Sequence, residues 1–125
     1  MTIDQAIREA ERLLPGNAVP EGPDPRWQAI IQVGEFANSA PAAIWSFIQR
    51  WGASPDSDLR DAIATCLLEH LLEHHFDDFF PKVESEAQSN PLFGDCFSRC
   101  WPLGQSDSPA NRQRFDALKR AMAAV

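Results

Sequence analysis

Residues 55–75 read PDSDLRDAIATCLLEHLLEHH, and the spacing of their apolar side chains decides the fold. Leu59, Ile63, Cys66, Leu67 and Leu71 recur at three- and four-residue intervals, the period that puts side chains on one face of an α-helix. Leu68 and Leu72 widen that stripe, which predicts a long helix over about 55–75 with neighbours on two sides. No segment of the chain alternates apolar and polar residues between hairpin turns, as half-buried strands do. The expected class is all-α.

Outward from this stretch, proline marks further helix starts. Asp24-Pro25, Ser54-Pro55, Asn90-Pro91 and Ser108-Pro109 each pair a capping residue with a proline. The cap's side-chain oxygen accepts from free backbone N–H groups, and proline at the first helical position lacks only an N–H that would be unpaired there. Thr2 with Gln5 has the pattern of a capping box for a helix ending near Leu14. A Pro/Gly-rich linker, residues 15–23, follows. A second helix is expected over about 25–37, with Trp27, Ile30, Ile31 and Gly34 on one side. A third, about 41–51, carries Ile44, Phe47, Ile48 and Trp51. After the 55–75 helix, a fifth is expected from Asp78 to about Gln88 with Pro81 in its first turn, and a sixth over about 91–101. A seventh, about 109–124, shows Phe115, Leu118, Met122 and Val125 on one face. The loops at 38–40 and 76–78 are short, which predicts antiparallel helix hairpins.

Composition narrows the function. The chain has 125 residues, 44% hydrophobic, with 8 Phe and 4 Trp to fill a core and a formal net charge of −7. Low-complexity disorder is excluded on those grounds. A net negative charge argues against gripping phosphate backbones, which rests on Lys and Arg. No long apolar run predicts a membrane span, and no basic-then-apolar leader predicts export. The charge is concentrated: residues 56–86 hold nine acids (Asp56, Asp58, Asp61, Glu69, Glu73, Asp77, Asp78, Glu84, Glu86) against Arg60 and Lys82. This is either a solvated helix face or a surface that steers a basic partner. Cys66, Cys96 and Cys100 are an odd number, which fits reduced thiols in a cytoplasmic protein.

A weak internal repeat is present. An offset of 34 residues places Asp24 on Asp58, Arg26 on Arg60, Glu35 on Glu69 and Trp45 on Phe79. Asp24-Pro25-Arg26 followed by Ala29 and Gly34, and then Asp58-Leu59-Arg60-Asp61-Ala62-Ile63, resemble the repeat helices of the HEAT-like family over about residues 24–88. Trp27 and Leu68 depart from that pattern. The resemblance implies a right-handed stack of helix pairs that binds protein and lacks catalysis. A compact bundle of the same hairpins is the alternative.

Chemistry-bearing candidates are few. His70-x-x-Glu73-His74 matches the string of inverzincin metalloproteases, in which two His hold zinc and the Glu activates water. That family needs a Glu ligand far downstream, and no Glu follows Glu86. His70 with His74, and Cys96 with Cys100, are each i, i+4 pairs that could meet in a Cys₂His₂ zinc site. The competing account makes the cysteines small buried hydrophobes and the histidines a helix end. Cys96 has no flanking signature of a nucleophile, and no phosphate-cradling glycine loop is present. Arg112, Arg114, Lys119 and Arg120 suit the end of a helix. Trp45 and Phe79 lie between hairpins or serve as exposed anchors, whereas Phe93, Phe97 and Trp101 form a line expected in the core.

The sequence therefore predicts one helical domain over 1–125: an N-terminal helix (1–14), a linker (15–23) and three hairpins (24–125). Its expected role is non-enzymatic binding of a protein partner with a basic surface, an immunity or antitoxin-like protein being one form of this. The binding candidates are Asp58, Asp61, Glu69, Glu73, Asp77, Asp78, Trp45 and Phe79. The alternative is a metal-binding domain or metal-dependent hydrolase using His70, His74, Cys96 and Cys100 with zinc. Otherwise no cofactor is expected, nor a nucleic-acid or membrane partner. A cytoplasmic monomer, or a homodimer through uncapped ends of the stack, is expected.

Overall fold

The computed structural model describes residues 1–124, all of which fall in helices, turns or irregular segments. In chain order the helices are α1 (Ile3–Leu13), α2 (Pro25–Gly34), α3 (Pro41–Trp51), α4 (Ser57–Ile63), a π-helical segment (Ala64–Leu68), α5 (Glu69–Ser89), α6 (Pro91–Ser98) and α7 (Pro109–Ala123). A 3₁₀ turn, Gly104–Asp107, precedes α7. The all-α class is as the periodicity indicates. Val125, assigned above to the apolar face of α7, lies outside the described residues.

Local sequence explains most of the starts. Thr2 and Gln5 form the full capping box, with reciprocal bonds between side chain and backbone. Asp24 accepts from the N–H of Arg26, and Asn90 from those of Leu92 and Phe93. Two expected caps differ. Asp56, not Ser54, caps α4 by accepting from Asp58 and Leu59, while Ser54 accepts from the N–H of Asp56. The hydroxyl of Ser108 donates to the carbonyl of Gln105 instead of capping α7.

The larger difference lies between residues 57 and 89, where two separate helices and a loop at 76–78 were expected. Helical structure runs through, with a π-turn at Ala64–Leu68 and a break in backbone angles at His75 (φ −139°, ψ 47°). The break leaves the carbonyl of His74 and the N–H of Phe76 without helical partners. Gln105 supplies both: its Oε1 accepts from Phe76 at 2.9 Å and its Nε2 donates to the His74 carbonyl at 2.7 Å. On the other side, His75 Nε2 donates to the carbonyl of Asn38 at 2.8 Å. Pro81 consequently sits in the second turn after the break. The carbonyl it leaves without an N–H donor belongs to Asp77, which is exposed to solvent.

Helix α1 lies against α2. The helices α2, α4 and α6 pack side by side in that order, α4 with the π segment that extends it. A second row consists of α3, the part of α5 after His75, and α7. Trp45 of α3 meets Phe79 at 6.2 Å between ring centroids, and the Arg114 guanidinium of α7 covers the Phe80 ring at 4.9 Å. Aromatic rings join the rows: Phe76 stacks on Phe80 (4.5 Å), Phe80 meets Phe97 (6.2 Å), and Phe97 meets Phe115 (4.9 Å). These four rings are fully buried. Gly34 permits the closest approach, since a Cβ there would collide with the carbonyl oxygen of Cys66.

Two apolar assignments do not hold. The buried stripe of α2 is Ala29, Ile30 and Val33, whereas Ile31 is 45% exposed. Phe93 and Phe97 are core as expected, but Trp101 is 68% exposed. Helix α6 ends at Ser98, so the i, i+4, i+8 line stops before its third member.

Candidate protein-docking site

The acidic residues divide by what they touch. Arg26, only 4% exposed, donates through Nη2 to Asp58 (2.7 Å) and Asp24 (3.4 Å), and through Nη1 to Asp56 (3.1 Å) and the carbonyl of Pro15 (2.8 Å). The indole N–H of Trp27 adds a second donor to Asp58 at 3.1 Å. Burial acts to raise the pKa of Asp24 and of Asp56, but the hydrogen bonds and charge of Arg26, joined at Asp56 by the N–H groups of Asp58 and Leu59, outweigh it and hold both carboxyls below the usual range. Arg60 makes a smaller version, donating to Asp95 (2.8 Å) and to the carbonyls of Ser54 and Pro55. Asp58, a binding candidate, is therefore tied to the fold.

Glu69 is also internal. Its Oε2 accepts the N–H of Trp101 at 2.9 Å, and burial pushes its carboxyl above the ordinary value despite that bond. Glu73 is half-buried and accepts from His70 Nδ1 at 2.9 Å. Asp61 lies 3.8 Å from Arg99, which pairs more closely with Asp95. Asp77 and Asp78 are exposed at the start of the second half of α5, and Glu86 accepts from Gln49 of α3. Asp58 and Glu73 are fifteen residues apart on nearly continuous helix, about 22 Å at 1.5 Å per residue. The acids thus occupy several places, not one compact cluster.

Trp45 and Phe79 are packed in the core, where Trp45 also meets Phe93 edge-on at 5.9 Å. The aromatic exposed to solvent is Trp101, which sequence reasoning placed inside. Pro102, directly after it, marks the helix end in the sequence, but α6 stops three residues before Trp101, at Ser98. Its backbone is held by Glu69, so the indole stands on a fixed loop. Across α4, Ile31 lines a groove of about 410 Å³ together with Gly34, Glu35, Cys66, His70 and His74.

The proposed metal ligands do not come together. Cys100 is fully buried with its thiol donating to the carbonyl of Ala64, and Cys96 likewise to that of Arg60. Burial pushes the Cys96 thiol up to about 12 and Cys100 well above its usual value. His70 and His74 are about 40% exposed at the surface. Among the described residues no three His, Cys, Asp or Glu side chains converge on a point that could hold a metal ion. The Cys₂His₂ set and the His70-x-x-Glu73-His74 string therefore lack a third ligand here. Cys66 is half-buried and burial raises its thiol too, the reverse of what a nucleophile needs.

No helix among the described residues is long and apolar enough to cross a membrane. No family model, curated protein or solved structure matches this chain.

Proposed function

We propose that this chain is a small HEAT-like helical-repeat module that binds a protein partner presenting a basic surface, with no chemistry of its own. The observation that carries the reading is a pair of ladders joining successive hairpins. At one edge Arg26 reaches Asp58 and Arg60 reaches Asp95. At the other, His75 donates to the Asn38 carbonyl, and Gln105 bridges His74 and Phe76. Bonds that recur from one helix pair to the next are what stacked repeats require. An exposed tryptophan on a fixed loop and carboxylates beside it support binding over catalysis. Three free thiols fit a reducing, cytoplasmic setting. An immunity-type role against a basic toxin is one form of the same reading.

Affinity capture at low salt with the purified chain, followed by identification of what is retained, tests it. Recovery of a basic protein, lost when Asp61 and Glu73 are both changed to Lys, is expected. Recovery that ignores those changes, or no specific partner, rejects the reading.

A further inference from the structure

We infer that the docking face runs from Ile31, across the junction of α4 and α5, to Trp101, and that its occupant is a basic amphipathic helix of another protein. This rests on the protein-binding reading and names its site and ligand class. Ile31 shares a groove with His70. His70 lies 3.8 Å from Glu69, and Glu69 holds the backbone of Trp101. The two exposed apolar side chains therefore flank one helix, with the carboxylates between them. Two interhelical spacings of roughly 8–10 Å separate the outer supports, and a single helix with its side chains is about 10–12 Å across. One helix fits between the anchors.

Charge selects which helix. The groove beside Ile31 carries Glu35 and no Lys or Arg. Glu73 lies next to it with His70 at 2.9 Å and His74 at 3.8 Å but no Lys or Arg paired to it among the described residues, and Asp61 has Arg99 at 3.8 Å. The cations near this side are engaged or set back: Arg99 pairs with Asp95, Arg112 beyond Trp101 with Asp107 and Asp116, and Lys119 lies over the Phe115 ring at 5.8 Å. A helix bringing apolar residues to Ile31 and Trp101 and a cation between them meets complementary groups at each point, the arrangement of helix-in-groove recognition. Both anchors are preset: Gly34 seats α2 against the Cys66 carbonyl, and Glu69 fixes the Trp101 loop. Little ordering is then left for binding to supply.

The probe is a fluorescein-labelled Leu/Lys amphipathic helical peptide, with a Leu/Glu peptide of the same pattern as control, titrated by anisotropy against the full chain. Trp101→Ala, Ile31→Asp and Glu73→Lys are compared with Asp78→Lys, which carries the same charge change outside the face, after circular dichroism shows each is folded. The Leu/Lys peptide is expected to bind and the Leu/Glu peptide not. Face variants are expected to weaken binding about tenfold or more, and Asp78→Lys less than about twofold. Failure of the wild type to bind, or losses from Asp78→Lys equal to those from Glu73→Lys, overturns the inference. So does a Trp101→Ala variant that binds unchanged, which removes this face but leaves the general reading standing. A capture experiment that recovers no basic protein removes the general reading itself.

Discussion

Arg26 and Arg60 stand 34 residues apart at matching places in the first two hairpins, and they are held differently. Each reaches back to a carbonyl of the segment before its own helix and forward to an aspartate of a later one. Arg26 is enclosed by three carboxylates and a linker carbonyl, with its Nε buried and unpaired. Arg60 is nearly as buried, with 11% of its side chain exposed, but has one close carboxylate. The repeated element is thus a bonding job, done once with three carboxylates and once with one. More is lost when the job fails at Arg26, because it holds more partners and one of them, Asp24, is only 12% exposed and cannot rehydrate freely.

The largest expected effect follows from that difference. Arg26→Ala strands Asp24 and frees the linker at Pro15, at a cost of about 3 kcal/mol in urea unfolding. Arg60→Ala should cost about 1–3 kcal/mol. Equal losses would break the comparison. Acid titration sharpens it next. Asp24, Asp56 and Asp95 have folded-state pKa values below that of an ordinary carboxylate. The stability they contribute is present above the unfolded value near 4 and is lost as pH falls through the folded values. The wild type should therefore lose stability steeply below about pH 4, Arg26→Ala should flatten that limb, and Arg60→Ala should remove only part of the Asp95 share, since Arg99 still pairs with Asp95. Urea midpoints at a series of pH values decide this.

Glu69 provides the smallest effect, with the opposite sign. Burial raises its pKa in the fold, so stability falls as pH rises through that value and the charged form is carried at a penalty near neutrality. Glu69→Gln keeps an acceptor for the Trp101 N–H and removes the charge. Its melting temperature should exceed that of the wild type at pH 7, with the gain vanishing at acidic pH. A gain that persists at low pH would show that the carboxylate is not the cause.

The parts that sequence made legible are those whose causes are local. Thr2 with Gln5, Asp24 before Pro25 and Asn90 before Pro91 act within a few residues, so their helix starts follow from the chain itself. The break at His75 is different: two open backbone groups are closed by Gln105, thirty residues away, and no local pattern announces that. Counting charge failed for a related reason. Asp56, Asp58 and Glu69 add to the acidic total, yet their partners are Arg26 and the Trp101 N–H, brought close only by folding. Trp101 continues the spacing of Phe93 and Phe97 on paper, but helical spacing means nothing past Ser98, where the helix stops.

Gln105 also limits how the second hairpin can bend. Its single amide accepts from one side of the break and donates to the other, so a change of angle at residue 75 stretches both bonds together and cannot proceed through one alone. The 3₁₀ turn that carries this amide belongs to the approach to α7. The last helix pair thereby sets the angle at which the middle one folds back.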